Sequence, residues 1–271
     1  ADELKSEFVA LAAHELRSPV GAIYGISETL AERGGQLSTA QTGELQSALT
    51  QQIRRLRELV EQLLDLSRLD AEAVVLKPQR VQHLGRAVGT HLLRSGASEL
   101  VLGRDCRLSS DSLRESLVRG LLATGINIVD IGVCHTPLVY FSLFHLALSG
   151  GVMITGSHNP PECNGFKICR GKSTIHGAEI QTLKNLILAK DFEKGEGRLR
   201  HESVLAAYWE RIAADVGIAR PLKVVVDAGN GTGGKAAAPL FKRMGCEVIE
   251  LFCDMDGNFP NHHPDPTVPA F

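Results

Sequence analysis

With 271 residues, 44% of them hydrophobic and 22% charged, the chain has an ordinary globular composition, enough for one large domain or two to three small ones. A net charge of −2 leaves no basic footprint for nucleic acid, and the longest apolar runs, such as Leu138–Leu148 with His145 inside it, are too short to cross a membrane. The charged opening "ADELKSEF" does not read as a signal peptide, and six cysteines without a CxxC pair point to reduced thiols in a cytoplasmic protein rather than a disulfide framework or zinc site.

Residues 3–33 and 40–70 are rich in Ala, Leu, Glu, Gln and Arg, which favour helix. The second stretch places Ile53, Leu56, Leu59, Val60, Leu63, Leu64 and Leu66 at helical spacing. Between them "RGGQLST" reads as a turn with Ser38 or Thr39 as N-cap. Two antiparallel helices cannot bury an apolar face alone, so residues 1–72 are expected to form a hairpin that dimerises into a four-helix bundle. Residues 73–82, "AVVLKPQRVQ", read as a linker broken at Pro78.

From residue 83 the pattern alternates. "HLGRAVGTHLLRSG" reads as helix, "ELVLGRD" as strand, and "SSDSLRESLVRGLLATG" as a helix closing on Gly125. "NIVDIG" reads as strand, "LVYFSLFHLALSG" as helix and "GGVMITGSH" as a strand running into a loop, while residues 176–215 read as mostly helical. This βαβ rhythm predicts an α/β fold, a parallel sheet with helices on both faces, over residues 83–218. Residues 219–271 begin a second β-loop-α-β unit, "LKVVVDAGNGTGGKAAAPLFKRMGCEVIELF", with a Pro-rich tail, too small for a core of its own.

The loop "TGSHNPP" (155–161) leaves the strand before it at what should be its carboxyl end, where α/β sheets bind ligands. There the Ser157 hydroxyl is suited to act as nucleophile or phosphate carrier, His158 to orient or move a proton, and Lys167 to return as a cation for phosphate. On composition alone the stretch is equally a tight turn whose Ser and Asn bond to backbone.

"GVMITGSHNPPECNGFKI" resembles the active-site loop of the α-D-phosphohexomutases, the phosphomannomutase/phosphoglucomutase family. "HLGRAVG", "VLGRDCRLSS", "GLLATGINIVDIGVCHTPLVYF", "KVVVDAGNGTGG" and "DGNFPNHHPDP" are similar to that family in family order, over about residues 83–269. The resemblance implies that Ser157 carries phosphate, exchanging it with hexose monophosphate and bisphosphate. It further implies that His158 and Lys167 line the site, with Lys167 an acid/base or phosphate-binding group, and that Arg104, Asp105 and Asn159 support substrate. Mg²⁺ is implied too, held by the Ser157 phosphate and by an Asp-rich DGDxDR loop, a string that does not occur in this sequence.

Near the start, "FVALAAHELRSPVGAIYGISETL" has His14 beside Glu15, with Ser18 where a zinc-binding HExxH would need a second His. The stretch resembles the phosphoacceptor box of sensor histidine kinases, and "SRLDAEAVVLKPQRV" that family's exit towards its ATP-binding domain, over about residues 1–81. The resemblance implies that His14 accepts a phosphoryl group with Glu15 as its hydrogen-bond or proton partner, and that Pro19 loosens the helix nearby. It also implies a homodimer, a response regulator as partner and a separate ATP-binding domain as phosphoryl source.

"GNGTGG" supplies Gly229, Gly231 and Gly234 in a GxGxxG pattern with Glu250 beyond, the form of a dinucleotide site, yet "DAGNGTGG" also resembles a βα turn opening the mutases' second domain. The whole reads as a phosphohexomutase-like fragment joined near residue 82 to a phosphoacceptor hairpin, incomplete for both activities. A signalling phosphotransfer module and a non-catalytic chimera that only dimerises are the alternatives.

Overall fold

The computed structural model describes residues 19–32, 37–38, 41–53, 56 and 77–262. The chain divides into two compact units, residues 1–75 and 76–271. In the first unit, helices α1 and α2 are described over residues 19–32 and 41–53. Ser38 is the N-cap: its Oγ accepts from the Gln41 N–H at 3.3 Å, and Gln41 Oε1 accepts from the Ser38 N–H at 3.0 Å. These reciprocal bonds satisfy two donors that a helix start otherwise leaves unpaired. His14 and Glu15 lie outside the described residues.

The second unit opens with α3 (Pro78–Arg94). Here the structure departs from the expected linker, because Pro78 starts the helix instead of breaking it. The first helical position needs no N–H partner, and the fixed proline φ already suits a helix. Then follow β1 (Glu99–Arg104), α4 (Ser110–Leu122), β2 (Asn127–Val133), α5 (Thr136–His145) and β3 (Gly150–Ile154). After these come β4 (Phe166–Arg170), β5 (Ser173–Thr174), α6 (Ala178–Ala189), β6 (Leu199–His201) and α7 (Leu205–Asp215).

The six strands order as β5-β4-β3-β1-β2-β6. β1 runs parallel to β2 and β3, and β6 parallel to β2. β4 and β5 are antiparallel, so the sheet is mixed where the rhythm predicts parallel strands alone. β6 and the irregular residues 190–198 also break the stretch read as mostly helical.

Leu100 and Leu102 of β1 face one core, shared with Val88, Leu92, Leu117, Leu121, Leu183 and Leu186 from α3, α4 and α6. Val101 faces the other, shared with Leu138, Val139 and Leu143 of α5. The two-residue strand period thus feeds two cores, one on each side of the sheet. Helices α3 and α4 cross at glycines: a Cβ on Gly120 would stand 2.1 Å from the Gln82 carbonyl oxygen.

Beyond α7, β7 (Lys223–Asp227), α8 (Gly233–Arg243) and β8 (Glu247–Leu251) form a two-stranded parallel sheet under one helix. Trp209 of α7 donates from Nε1 to the Ala236 carbonyl of α8 at 2.8 Å. Among the described residues, no helix is long and apolar enough to cross a membrane.

Candidate functional site

Strand β3 is fully buried and ends at Ile154, and the chain then turns out through Thr155 and Gly156 to an exposed Ser157. β1 ends beside it, and the Asp105 N–H donates to the Ile154 carbonyl at 2.9 Å. The serine loop therefore sits at the carboxyl ends of two adjacent parallel strands, where strand termini leave a crevice for ligands. Ser157 has φ +56, a left-handed backbone that a serine rarely adopts, and its N–H donates to Thr155 Oγ1 at 2.9 Å. That geometry turns the residue off the strand axis and out of the sheet.

Residues 156–165 have neither helix nor strand to absorb their carbonyls. Arg107 does so. Its side chain is wholly buried, and Nη2 donates to the carbonyls of Ser157 at 2.9 Å and Asn159 at 2.6 Å. Nη1 donates to those of Pro160 and, at 3.1 Å, Cys163. Nε donates to Asp105 Oδ2 at 3.1 Å. All five N–H groups of the guanidinium are thus used.

Asp105 balances the buried charge and carries its own bonds: Ser110 Oγ at 2.6 Å and the Arg107 N–H at 3.1 Å donate to Oδ1, and the Gly156 N–H donates to Oδ2 at 3.2 Å. A Cβ on Gly156 would lie 2.6 Å from Arg107 Cζ, so the loop passes this arginine only as glycine. Asn164 ties the far side of the loop down, donating from Nδ2 to Ser109 Oγ and Ser110 Oγ, each at 2.9 Å, at the start of α4.

The other residues singled out in the sequence fall as follows. His158 is exposed on the loop beside Ser157. Asn159 lends its backbone, through its carbonyl to Arg107 and its N–H to the Gly156 carbonyl at 3.0 Å. Lys167 stands on strand β4, opposite Met153 of β3 and outside the serine loop. Asp105 joins the loop, whereas Arg104 is turned to Asp111 at 2.6 Å and to the buried Asp130 at 3.8 Å. Arg107, Ser110 and Asn164 were missed. The available signal was the Asp-x-Arg spacing of "GRDCRLSS" directly after a strand.

The GxGxxG turn is held from within. Asn230, with φ +61, donates from Nδ2 to the Asp254 carbonyl at 2.9 Å, and Asn261 Nδ2 donates to its Oδ1 at 2.7 Å. Gly229 has φ +50, and a Cβ on it would meet the His262 ring at 2.8 Å. Its glycines thus serve close packing of this chain on itself. A cleft of about 350 Å³ between Leu84, Phe166, Ile180, Leu183 and Ile187 includes no residue of the serine loop.

Fold and loop together define an α/β/α unit of the phosphohexomutase type. Residues 67–194 match the family model of phosphoglucomutase/phosphomannomutase α/β/α domain I, and residues 206–270 that of domain II. Residues 4–72 match the phosphoacceptor domain of the His Kinase A family. Both resemblances drawn from the sequence therefore stand.

The chain is 46% identical over 186 residues to a phosphomannomutase/phosphoglucomutase of Pseudomonas putida, an alignment covering 69% of this chain and 40% of that protein. It is 43% identical over 188 residues to a phosphoglucomutase of Neisseria gonorrhoeae, covering 69% and 41%. A crystal structure of a phosphoglucomutase/phosphomannomutase family protein from Burkholderia thailandensis superposes with a TM-score of 0.70 at 42% identity, over 73% of this chain and 45% of that one. The chain spans about two fifths of the length of the curated relatives it matches.

Proposed function

We propose that Ser157 is a phosphoryl carrier for hexose phosphates. The observation that carries this reading is an exposed serine at the carboxyl end of a buried parallel strand, on a loop whose backbone is held by a buried arginine. In the proposed step Ser157 Oγ attacks a phosphorus of a hexose bisphosphate. The Oγ–P bond forms, the bond from phosphorus to the sugar oxygen breaks, and the serine proton ends on that oxygen to give the monophosphate. The reverse step returns the group. Lys167 is the proposed acid/base or phosphate partner, His158 the proposed proton-handling neighbour, and Arg104, Asp105 and Asn159 the proposed substrate-side support. Phosphoryl transfer depends mostly on positioning and on positive charge near the phosphate, which suits such a set.

Mg²⁺ would supply further positive charge at the transferring group. No group of three or more His, Cys, Asp or Glu side chains among the described residues is arranged to hold it. The Ser157 phosphate is the ligand the described residues would offer, and by themselves they do not complete a site for the metal.

The test is incubation with glucose 1,6-bisphosphate, followed by mass spectrometry of the peptide that contains Ser157. The expected result is one acid-stable phosphate, absent in Ser157→Ala. An unmodified Ser157 under excess bisphosphate overturns the reading.

The match of residues 4–72 to a phosphoacceptor domain favours a second, parallel role. In it His14, with Glu15 as proton partner, receives a phosphoryl group from a separate kinase ATP-binding domain. It passes the group to a response regulator, and residues 1–72 form the homodimer, in a cytoplasmic setting. Its label is acid-labile and is lost in His14→Gln, so acid treatment separates the two roles.

A further inference from the structure

We propose that Arg107 is the positioning residue of the serine loop, and that Phe259 closes over it so that the segment after β8 governs how Ser157 is presented. The proposal rests on the reading of Ser157 as phosphoryl carrier only for its catalytic consequence. Its structural core stands on geometry.

A guanidinium is a rigid planar fork, and here each of its five N–H groups has a fixed acceptor, four of them backbone carbonyls of a loop without regular structure. Such a group sets the path of the loop as well as its charge. One face of Arg107 is covered by the Phe259 ring, 5.1 Å from Cζ. The segment carrying Phe259 is pressed against the same turn. A Cβ on Gly257 would lie 2.5 Å from the Cys106 carbonyl oxygen and 2.9 Å from the Leu108 nitrogen.

Asn230 holds that segment in place. Its carbonyl accepts from the Asp256 N–H at 2.9 Å and from Cys106 Sγ at 3.6 Å, joining segment, turn and serine-loop support at one oxygen. The "GNGTGG" motif thus acquires a mechanical task, as the anchor of a lid on Arg107. Contacts run without a gap from the βα turn of the second α/β unit to the loop that carries Ser157.

The experiment is amide hydrogen exchange by NMR on the full chain, read at Gly156, Ser157, Asn159 and Cys163, whose N–H groups are bonded within or beneath the loop. Arg107→Lys keeps the charge but loses the fork. It should raise exchange at these four amides about tenfold or more while leaving β1 and β3 unchanged. Phe259→Ala, on the partly exposed side, should raise exchange at the same amides about threefold. Wild-type exchange in Arg107→Lys would mean that charge alone suffices, and overturns the proposal. If Arg107→Lys fails to fold, Phe259→Ala decides it: no rise at the loop overturns the lid.

In parallel, the rate of Ser157 phosphorylation by glucose 1,6-bisphosphate should fall in both variants at saturation, with half-saturation unchanged. The end point should stay at one phosphate per chain, whereas a general loss of folded protein would lower that end point. If the wild type takes up no phosphate, the phosphoserine reading fails, and the exchange result still decides the role of Arg107.

Discussion

The two sheets of the second unit share one sequence rhythm and meet opposite fates. β1 lies between neighbours and between two helical layers, and Leu100, Val101 and Leu102 are each 0% exposed. Among the described residues β7 has one neighbour and one helix, and Val225, paired in register with Ile249, is 56% exposed. Both strands are apolar runs followed by a tight turn and a helix. A parallel strand reads as continuously hydrophobic because both its faces are meant to be covered. In β1 both are; in β7 only the face towards α8 is. Apolar residues therefore mark where a strand can be buried, and only neighbours decide whether it is.

Mutations can break or sharpen this contrast. Leu102→Ala in β1 opens a cavity where nothing can relax into it, and should cost about 2–5 kcal/mol, measured from the urea midpoint. A loss below about 1 kcal/mol would show that the first sheet is packed no better than the second. Trp209→Phe removes the bond from α7 to the Ala236 carbonyl and should cost about 1 kcal/mol, read by thermal melting. Because Trp209 is the single tryptophan, its fluorescence in the wild type also reports when α7 and α8 part.

His135 sharpens the contrast through pH. Burial against α7 lowers its pKa, and its ring meets Tyr208 edge-on at 5.1 Å. A histidine with a lowered folded pKa is protonated first in the unfolded chain. Its contribution is therefore intact above the ordinary histidine pKa and is lost as pH falls through the folded value. His135→Gln should flatten the acid side of the stability profile, measured by urea titration at several pH values; an unchanged slope would assign the acid loss elsewhere. The smallest effect belongs to β7: Val225→Ala should change stability by no more than about 0.5 kcal/mol, and a larger loss would mean that the open face is covered in solution.

Local pattern carried the identity of most elements and the serine loop, and it failed in instructive places. Pro78 was read as a break because its effect depends on position: fatal inside a helix, favourable at its first residue. β4 was hidden because "FKICR" is five residues long and directly follows Gly, Asn and Pro, so its strand signal was too short to stand alone. It exists because β3 offers an open edge to pair with. Arg104 and Arg107 are alike in sequence, three residues apart and either side of Asp105, yet one turns to Asp111 and Asp130 and the other into the loop.

Chain chemistry alone determined that there would be buried strands, a serine at the end of one of them, a helix capped at Ser38 or Thr39 and a phosphoacceptor-like stretch around His14. Those follow from spacing, capping and residue type over a few positions. Tertiary packing determined which arginine holds the serine loop, which strand Lys167 joins and what the glycines of "GNGTGG" are for. A hydrogen bond such as that from Arg107 to Ser157 links residues 50 positions apart, and only the folded chain brings that donor and acceptor within 2.9 Å of each other.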